Sequence, residues 1–234
     1  MMSFLLLPGF MTDNSLWDDV LVHLKKSMGA MHIIYGSLSP GDSIEAIANN
    51  NIPDGSEKFI VIGFSMGGYV ARELARLVPE RVEKLILIAT SFRADTEEQR
   101  QQRLTAAKNM SATNFRGLSH GAIKQSIASS LKNDRDLIEK IRLMGAGLGK
   151  DVFIQQSGIR RTGDWDLLKG IQCPTLVIAA DEDRLRSLDE VRELHQGING
   201  SEFRIIEQSG HMIPLEQAQA LASAMSEWLV KISN

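Results

Sequence analysis

The chain has 234 residues, with 26 Lys/Arg against 29 Asp/Glu and a formal net charge of -3. That balance excludes the overall basic excess by which a protein tracks a phosphate backbone, so no nucleic-acid partner is expected. No apolar run approaches the roughly 20 residues of a membrane-spanning helix, the opening M-M-S-F-L-L-L-P-G-F lacks the features of a signal peptide, and a lone cysteine, Cys173, excludes an intramolecular disulfide; a cytoplasmic protein without membrane association is the expectation.

Short, continuous apolar runs recur at Phe4 to Leu7, His32 to Tyr35, Phe59 to Ile62, Leu85 to Ile88, Thr175 to Ala179 and Phe203 to Ile206. Because they do not alternate with polar residues, they read as strands covered on both faces of a parallel sheet. Helical patterns between them, at Leu16 to Lys26, Tyr69 to Leu77, Leu188 to His195 and Pro214 to Ile232, supply the crossovers. The expected fold class is therefore α/β, a mostly parallel, doubly wound sheet of about six strands.

Between the fourth and fifth runs the alternation lapses. Residues 92–165 contain helix-like stretches at Thr96 to Met110, Ala122 to Leu131 and Leu137 to Met144, and no convincing strand. The expected organisation is a core domain of residues 1–91 and 166–234 with a helical cap of residues 92–165. The cap carries 13 Lys/Arg against 8 Asp/Glu, and the remainder 13 against 21. A basic cap on an acidic core favours an anionic substrate, unless the surplus is only a solvated face. Phe92, Met110, Phe115, Leu118, Met144 and Phe153 are candidates for a pocket lining or for the cap's own core.

G-A-G-L-G-K at residues 145–150 has the look of a phosphate loop, but a helical pattern precedes it and Asp151 stands where a Ser or Thr is needed. No H-E-x-x-H or paired-cysteine pattern occurs, so neither a metal nor a cofactor is expected.

The chemistry-bearing stretch is G-F-S-M-G at residues 63–67, lying between the third strand and a helix. This is the nucleophile-elbow pattern: a strained turn exposes the Ser65 hydroxyl, and the following amide, that of Met66, points at a developing oxyanion. Gly63, Gly67 and Gly68 give room where the helix folds back on the strand. A serine hydroxyl is a weak nucleophile and needs a base with a group to orient it. Asp181, Glu182 and Asp183 follow the fifth strand, and His211 follows the sixth, in the chain order serine, acid, histidine. His23, His32, His120 and His195 fall in predicted helices, at a strand start or in the cap. Gly9 and Phe10, directly after the first strand, stand where a second oxyanion amide is required.

L-L-L-P-G-F, G-F-S-M-G-G-Y-V-A, P-E-R-V-E-K-L-I-L-I, C-P-T-L-V-I-A-A-D-E-D-R-L and G-H-M-I-P-L-E-Q together resemble the α/β-hydrolase superfamily over nearly the whole chain. The sequence is similar to the compact branch that includes enol-lactonases and pimeloyl-carrier-protein methyl ester esterases. The resemblance implies a catalytic triad of Ser65, Asp183 and His211, with Phe10 and Met66 as the oxyanion amides. It implies a serine hydrolase for a carboxylic ester, lactone or thioester, acting on a small acyl substrate that is free, anionic or carrier-protein-bound. Family members usually open with two further strands, so a sheet trimmed to six is expected. Their His-Gly is Pro8-Gly9 here, and their D-x-P-G-x-G turn is replaced by Y-G-S-L-S-P-G-D at residues 35–42. Two alternatives share the pattern: a non-enzymatic ligand-binding or receptor protein on the same fold, and a carbon–carbon bond hydrolase or lyase using the same triad.

Overall fold

The structure, a computed structural model, describes residues 2–109 and 115–232. The six apolar runs become strands β1 (Ser3–Leu7), β2 (His32–Tyr35), β3 (Phe59–Phe64), β4 (Val82–Ile88), β5 (Thr175–Ala180) and β6 (Glu202–Ile206). They pair in parallel throughout, in the order β2-β1-β3-β4-β5-β6. The order reverses direction between β1 and β3, which puts a crevice at the carboxyl ends of the central strands.

The continuous apolar character follows from coverage on both faces, since successive side chains point to opposite sides. Phe4, Leu6, Ile60, Ile62, Ile86, Ile88, Leu176 and Ile178 form one core with helices α1 (Asp18–Met28) and α9 (Ala218–Lys231). Leu5, Leu7, Val61, Leu85, Leu87 and Val177 form the other, with α2 (Ile44–Asn50), α3 (Met66–Leu77) and α7 (Leu188–Gly197). This is the doubly wound α/β architecture that the patterning predicts.

Between β4 and β5 lie α4 (Glu97–Lys108), α5 (His120–Ser126) and α6 (Arg135–Gly158). The sequence places a helix from Leu137 to Met144; α6 runs on through the G-A-G-L-G-K stretch, kinked where Gly149 takes φ 86°. A short helix, α2, fills the stretch after β2 where none is predicted, capped by Ser43 Oγ accepting from Ala46 N. The last predicted helix is broken: α8 (Ile213–Glu216) and α9 are separated by Gln217 at φ -136°. The break accompanies tertiary contacts, since Glu216 turns inward to accept from Ala128 N and Gly210 N while Gln217 Nε2 donates to Gln208 O. Among the described residues no helix is long and apolar enough to cross a membrane.

The two ends of the segment between β4 and β5 are tied to each other and to α3. Asp164 N donates to Phe92 O and Asp95 N to Arg161 O, each at 3.1 Å. Arg72, fully buried on α3, donates through Nε and Nη2 to the two Asp164 oxygens at 2.9 and 3.1 Å, and through Nη2 to Ser91 O at 2.9 Å. Arg76 Nη1 adds a third bond to Asp164 at 2.9 Å. Removing the carboxylate strands a buried guanidinium, so Asp164→Ala is expected to cost about 3–5 kcal/mol of unfolding free energy. Urea titration checks this, with a double Arg72→Met, Asp164→Leu replacement losing less because no buried charge is left over.

Candidate active site

The site is built at the carboxyl ends of β1, β3, β5 and β6. At the end of β3 the chain reverses at Ser65, with φ 51° and ψ -113°, and enters α3 at Met66. Reversal this tight leaves no room for Cβ atoms at two neighbours. A Cβ on Gly63 would lie 2.6 Å from Gly67 O, and one on Gly67 would meet the Leu7 and Pro8 carbonyl groups. The turn is pinned on both sides, because Ser65 N donates to Ile88 O at 2.9 Å and Thr90 Oγ1 donates to Ser65 O at 2.7 Å.

His211, in the loop after β6, is buried against the Phe64 ring with its centroid 5.2 Å away. Its Nε2 lies 2.8 Å from Ser65 Oγ and its Nδ1 2.7 Å from Asp183 Oδ2. A carboxylate accepts only, so Nδ1 carries the proton and Nε2 is left to accept from the serine hydroxyl. The other Asp183 oxygen accepts from Leu185 N at 2.8 Å and Arg186 N at 2.9 Å, fixing the carboxylate's orientation. Of the other two acids after β5, Asp181 is exposed and accepts from Ser209 N at 3.2 Å, and Glu182 accepts from Ser129 N at 2.9 Å.

Phe10 lies in the turn after β1. Thr12 Oγ1 accepts from Gly9 N at 2.8 Å, and Gln156 Oε1, on α6, accepts from Met11 N at 2.9 Å. These bonds clamp the residues on either side of Phe10, whose own N–H has no partner among the described residues. Met66 opens α3, so its N–H belongs to the unpaired donors of a helix start.

Phe10, Ser65 and His211 line one cavity of about 530 Å³. Of the apolar candidates from residues 92–165, Leu118 and Phe153 line it. Met144 is in the core beneath, Phe115 packs on the Phe153 ring and Phe92 on Trp165; Met110 lies outside the described residues. None of His23, His32, His120 and His195 lines the cavity.

A family model for the α/β-hydrolase fold matches residues 54–218, from just before β3 to the start of α9. The chain belongs to the α/β-hydrolase fold family. It is an enzyme of that family, and esterases recur among its relatives. It is 27% identical over 175 residues to a pimeloyl-[acyl-carrier protein] methyl ester esterase of Neisseria meningitidis, an alignment that covers 72% of this chain and 68% of that one. Among solved structures, a thermophilic esterase from Thermogutta terrifontis with malate bound superposes with a TM-score of 0.86 at 27% identity, covering 100% of this chain and 91% of that one. The enol-lactonase from Burkholderia xenovorans LB400 superposes equally well, TM-score 0.86, at 20% identity and over 98% and 91% of the two chains, a likeness of fold alone.

This α/β-hydrolase also uses residues that no motif marks. Gln156 acts on the Phe10 turn across 145 positions of sequence and Thr90 on the Ser65 carbonyl across 25. Glu216 Oε2 accepts from Ala128 N at 2.7 Å and from Gly210 N, next to His211, at 3.0 Å, while Oε1 is buried without a partner among the described residues. Burial pushes the Glu216 carboxyl above its ordinary 4.5; the backbone donors and His211 pull the other way without cancelling it. A folded-state value above the unfolded one means that the native chain holds this proton longer, so the contribution is fully present below 4.5 and is lost as the pH rises through the folded value. The melting temperature of Glu216→Gln minus that of the wild type is therefore expected to increase between pH 4.5 and neutrality. Melting curves across that range check it, and a constant difference would place the carboxyl at its ordinary value.

Proposed function

We propose that this α/β-hydrolase cleaves a carboxylic ester, lactone or thioester through an acyl-enzyme on Ser65. The observation that carries this reading is the continuous hydrogen-bonded series Ser65 Oγ, His211 Nε2, His211 Nδ1, Asp183 Oδ2, at 2.8 and 2.7 Å, opening into a cavity. His211 Nε2 accepts the hydroxyl proton as Ser65 Oγ attacks the acyl carbon, and the carbonyl electron pair moves onto oxygen. The Phe10 and Met66 N–H groups receive that oxyanion; preorganised donors of this kind contribute about 10²–10³ in kcat each. As the tetrahedral intermediate collapses, the imidazolium gives its proton to the departing oxygen or sulfur. Water then attacks the acyl-enzyme with His211 again as base, and the acid leaves. Asp183 holds the imidazole tautomer and steadies the imidazolium.

Residues 92–165 act in this reading as the cap that supplies selectivity, with Leu118 and Phe153 as its apolar contribution to the cavity. The substrate is a small acyl compound of one of these three classes. The basic balance of the segment suits an anionic one, free or delivered on a carrier protein.

A fluorophosphonate probe tests the nucleophile: the wild type is expected to be labelled and Ser65→Ala to remain unlabelled, with p-nitrophenyl ester turnover falling by several orders of magnitude. Full turnover by folded Ser65→Ala would sink the mechanism. The acid is tested separately. Asp183→Asn is expected to lower kcat by roughly 10³–10⁴ near neutral pH by favouring the wrong tautomer, and Asp181→Asn to lower it far less; the reverse ranking on proteins with matched melting curves would move the role to Asp181.

A further inference from the structure

The cavity that holds Ser65 and His211 has a cationic wall with too few anions. Arg103, Arg161 and Arg186 all line it, together with Asp95. Asp95 is committed elsewhere: Arg103 Nη1 and Nη2 donate to its two oxygens at 3.0 and 2.6 Å. Arg186 Nη1 lies 3.5 Å from Glu190 Oε1. Among the described residues Arg161 has the Asp95 carboxylate as its one anion, with Nη1 3.6 Å from Oδ1, beyond hydrogen-bond distance, and the Tyr69 ring, its centroid 6.0 Å from Cζ. Its side chain is 90% buried, and among the described residues its Nε has no hydrogen-bond partner, nor has Nε of Arg103. Among the described residues, three guanidinium groups against two carboxylates leave one positive charge in the wall without an anion of its own.

Such a group is expensive for folding. A buried charge without hydrogen-bond partners is among the least favourable arrangements in a protein. Its cost shows in Arg161 itself, whose pKa is pulled down to about 10, first by burial and then by Arg186 and Arg103, against the pull of Asp95. The backbone nonetheless holds it in place, since Arg161 N donates to Asp95 Oδ2 at 3.2 Å and Arg161 O accepts from Asp95 N at 3.1 Å.

We infer that Arg161, flanked by Arg103 and Arg186, is a specificity-determining residue that binds a carboxylate on the substrate, remote from the bond being cleaved. This rests on the ester-hydrolase reading and narrows it to carboxylate-bearing esters. One uncompensated charge matches a monoanion, the planar fork of a guanidinium matches the two oxygens of a carboxylate, and Phe10, Leu118 and Phe153 offer apolar surface to the chain between the two ends.

The test separates binding from chemistry by using Ser65→Ala protein and calorimetry. The probes are monomethyl esters of the diacids from succinate to suberate, with the carboxylate on the acyl side, and acetoxy acids, with it on the alcohol side. Each is paired with its neutral primary-amide counterpart. At least one carboxylate ester is expected to bind roughly 10- to 100-fold tighter than its amide, the range of a charge-assisted hydrogen bond. The matching pair identifies which side of the ester carries the charge. Adding Arg161→Gln is expected to collapse the ratio toward one, and Arg161→Lys, which keeps the charge but not the fork, to leave part of it. Equal affinity within every pair, no binding by any probe, or an unchanged ratio in folded Arg161→Gln would overturn the proposal. If Arg161→Gln does not fold, the ester-to-amide ratio in Ser65→Ala alone decides. Fluorophosphonate labelling of the wild type reports on the hydrolase reading independently, so labelling without carboxylate preference fails this inference and leaves that reading standing.

Discussion

The geometry at the carboxyl edge of the sheet depends on keeping one non-glycine residue, Ser65, in the left-handed region of backbone space. Positions of this kind cost about 1–3 kcal/mol and persist only where the surroundings over-determine them. Here the surroundings are the Ser65 N–H on the end of β4, the Thr90 hydroxyl on the Ser65 carbonyl, and glycines at 63 and 67 that let α3 close against β3 and β1. Ser65 does not stand alone. Among the described residues the other positive-φ positions that are not glycine are Met11, Ala89 and Gln208, which follow β1, β4 and β6. Each is close in sequence to a residue of the site: Met11 to Phe10, Ala89 to Thr90, Gln208 to His211. Strain therefore gathers on one edge of an otherwise relaxed sheet, and the two apolar cores carry its cost.

Residues 92–165 are coupled to that same edge by polar contacts as well as by apolar packing through Ile123, Ile127, Ile138, Ile141 and Met144. Gln156 holds the turn after β1, Glu216 joins Ala128 to the loop carrying His211, Glu182 holds Ser129, and Asp164 is locked under α3 by Arg72. Each tie satisfies a backbone donor or a buried charge that would be costly if left open. A shift of this segment therefore disturbs the turns next to Phe10 and His211. In the proposed mechanism, selectivity and oxyanion geometry are not independent properties.

What was legible in the sequence was local or ordered along the chain. The strands announced themselves because continuous apolar runs fit only strands covered twice, and Gly63, Ser65 and Gly67 marked a turn whose steric demands are met within a few residues. The order serine, acid, histidine placed candidates after β3, β5 and β6, and the fold brings Ser65, Asp183 and His211 into contact there. Less legible was what depends on distant partners. Helix α2 is too short for periodicity to identify, and the break at Gln217 depends on Glu216 reaching Ala128 across 88 positions. Charge counting registered a basic segment but could not sort its members. Arg160 is exposed and Arg161 buried, one residue apart, and only the second faces the cavity.

The two costs at this edge differ in what can relieve them. Strain at Ser65 is built into the fold and remains whether or not a ligand is present, as a preorganised nucleophile requires. The uncompensated charge at Arg161 is different, because an anion entering the cavity supplies the missing acceptor. A ligand that removes such a cost binds the folded chain and not the unfolded one, and so stabilises it by mass action. Its interaction is also made in a wall already assembled, with the Arg161 backbone held by Asp95, which reduces the ordering left to binding. Selectivity placed this way acts at binding, while Ser65, His211 and the two amides act on the bond; the cavity keeps these tasks on separate side chains joined through the segment that Gln156 and Arg161 share.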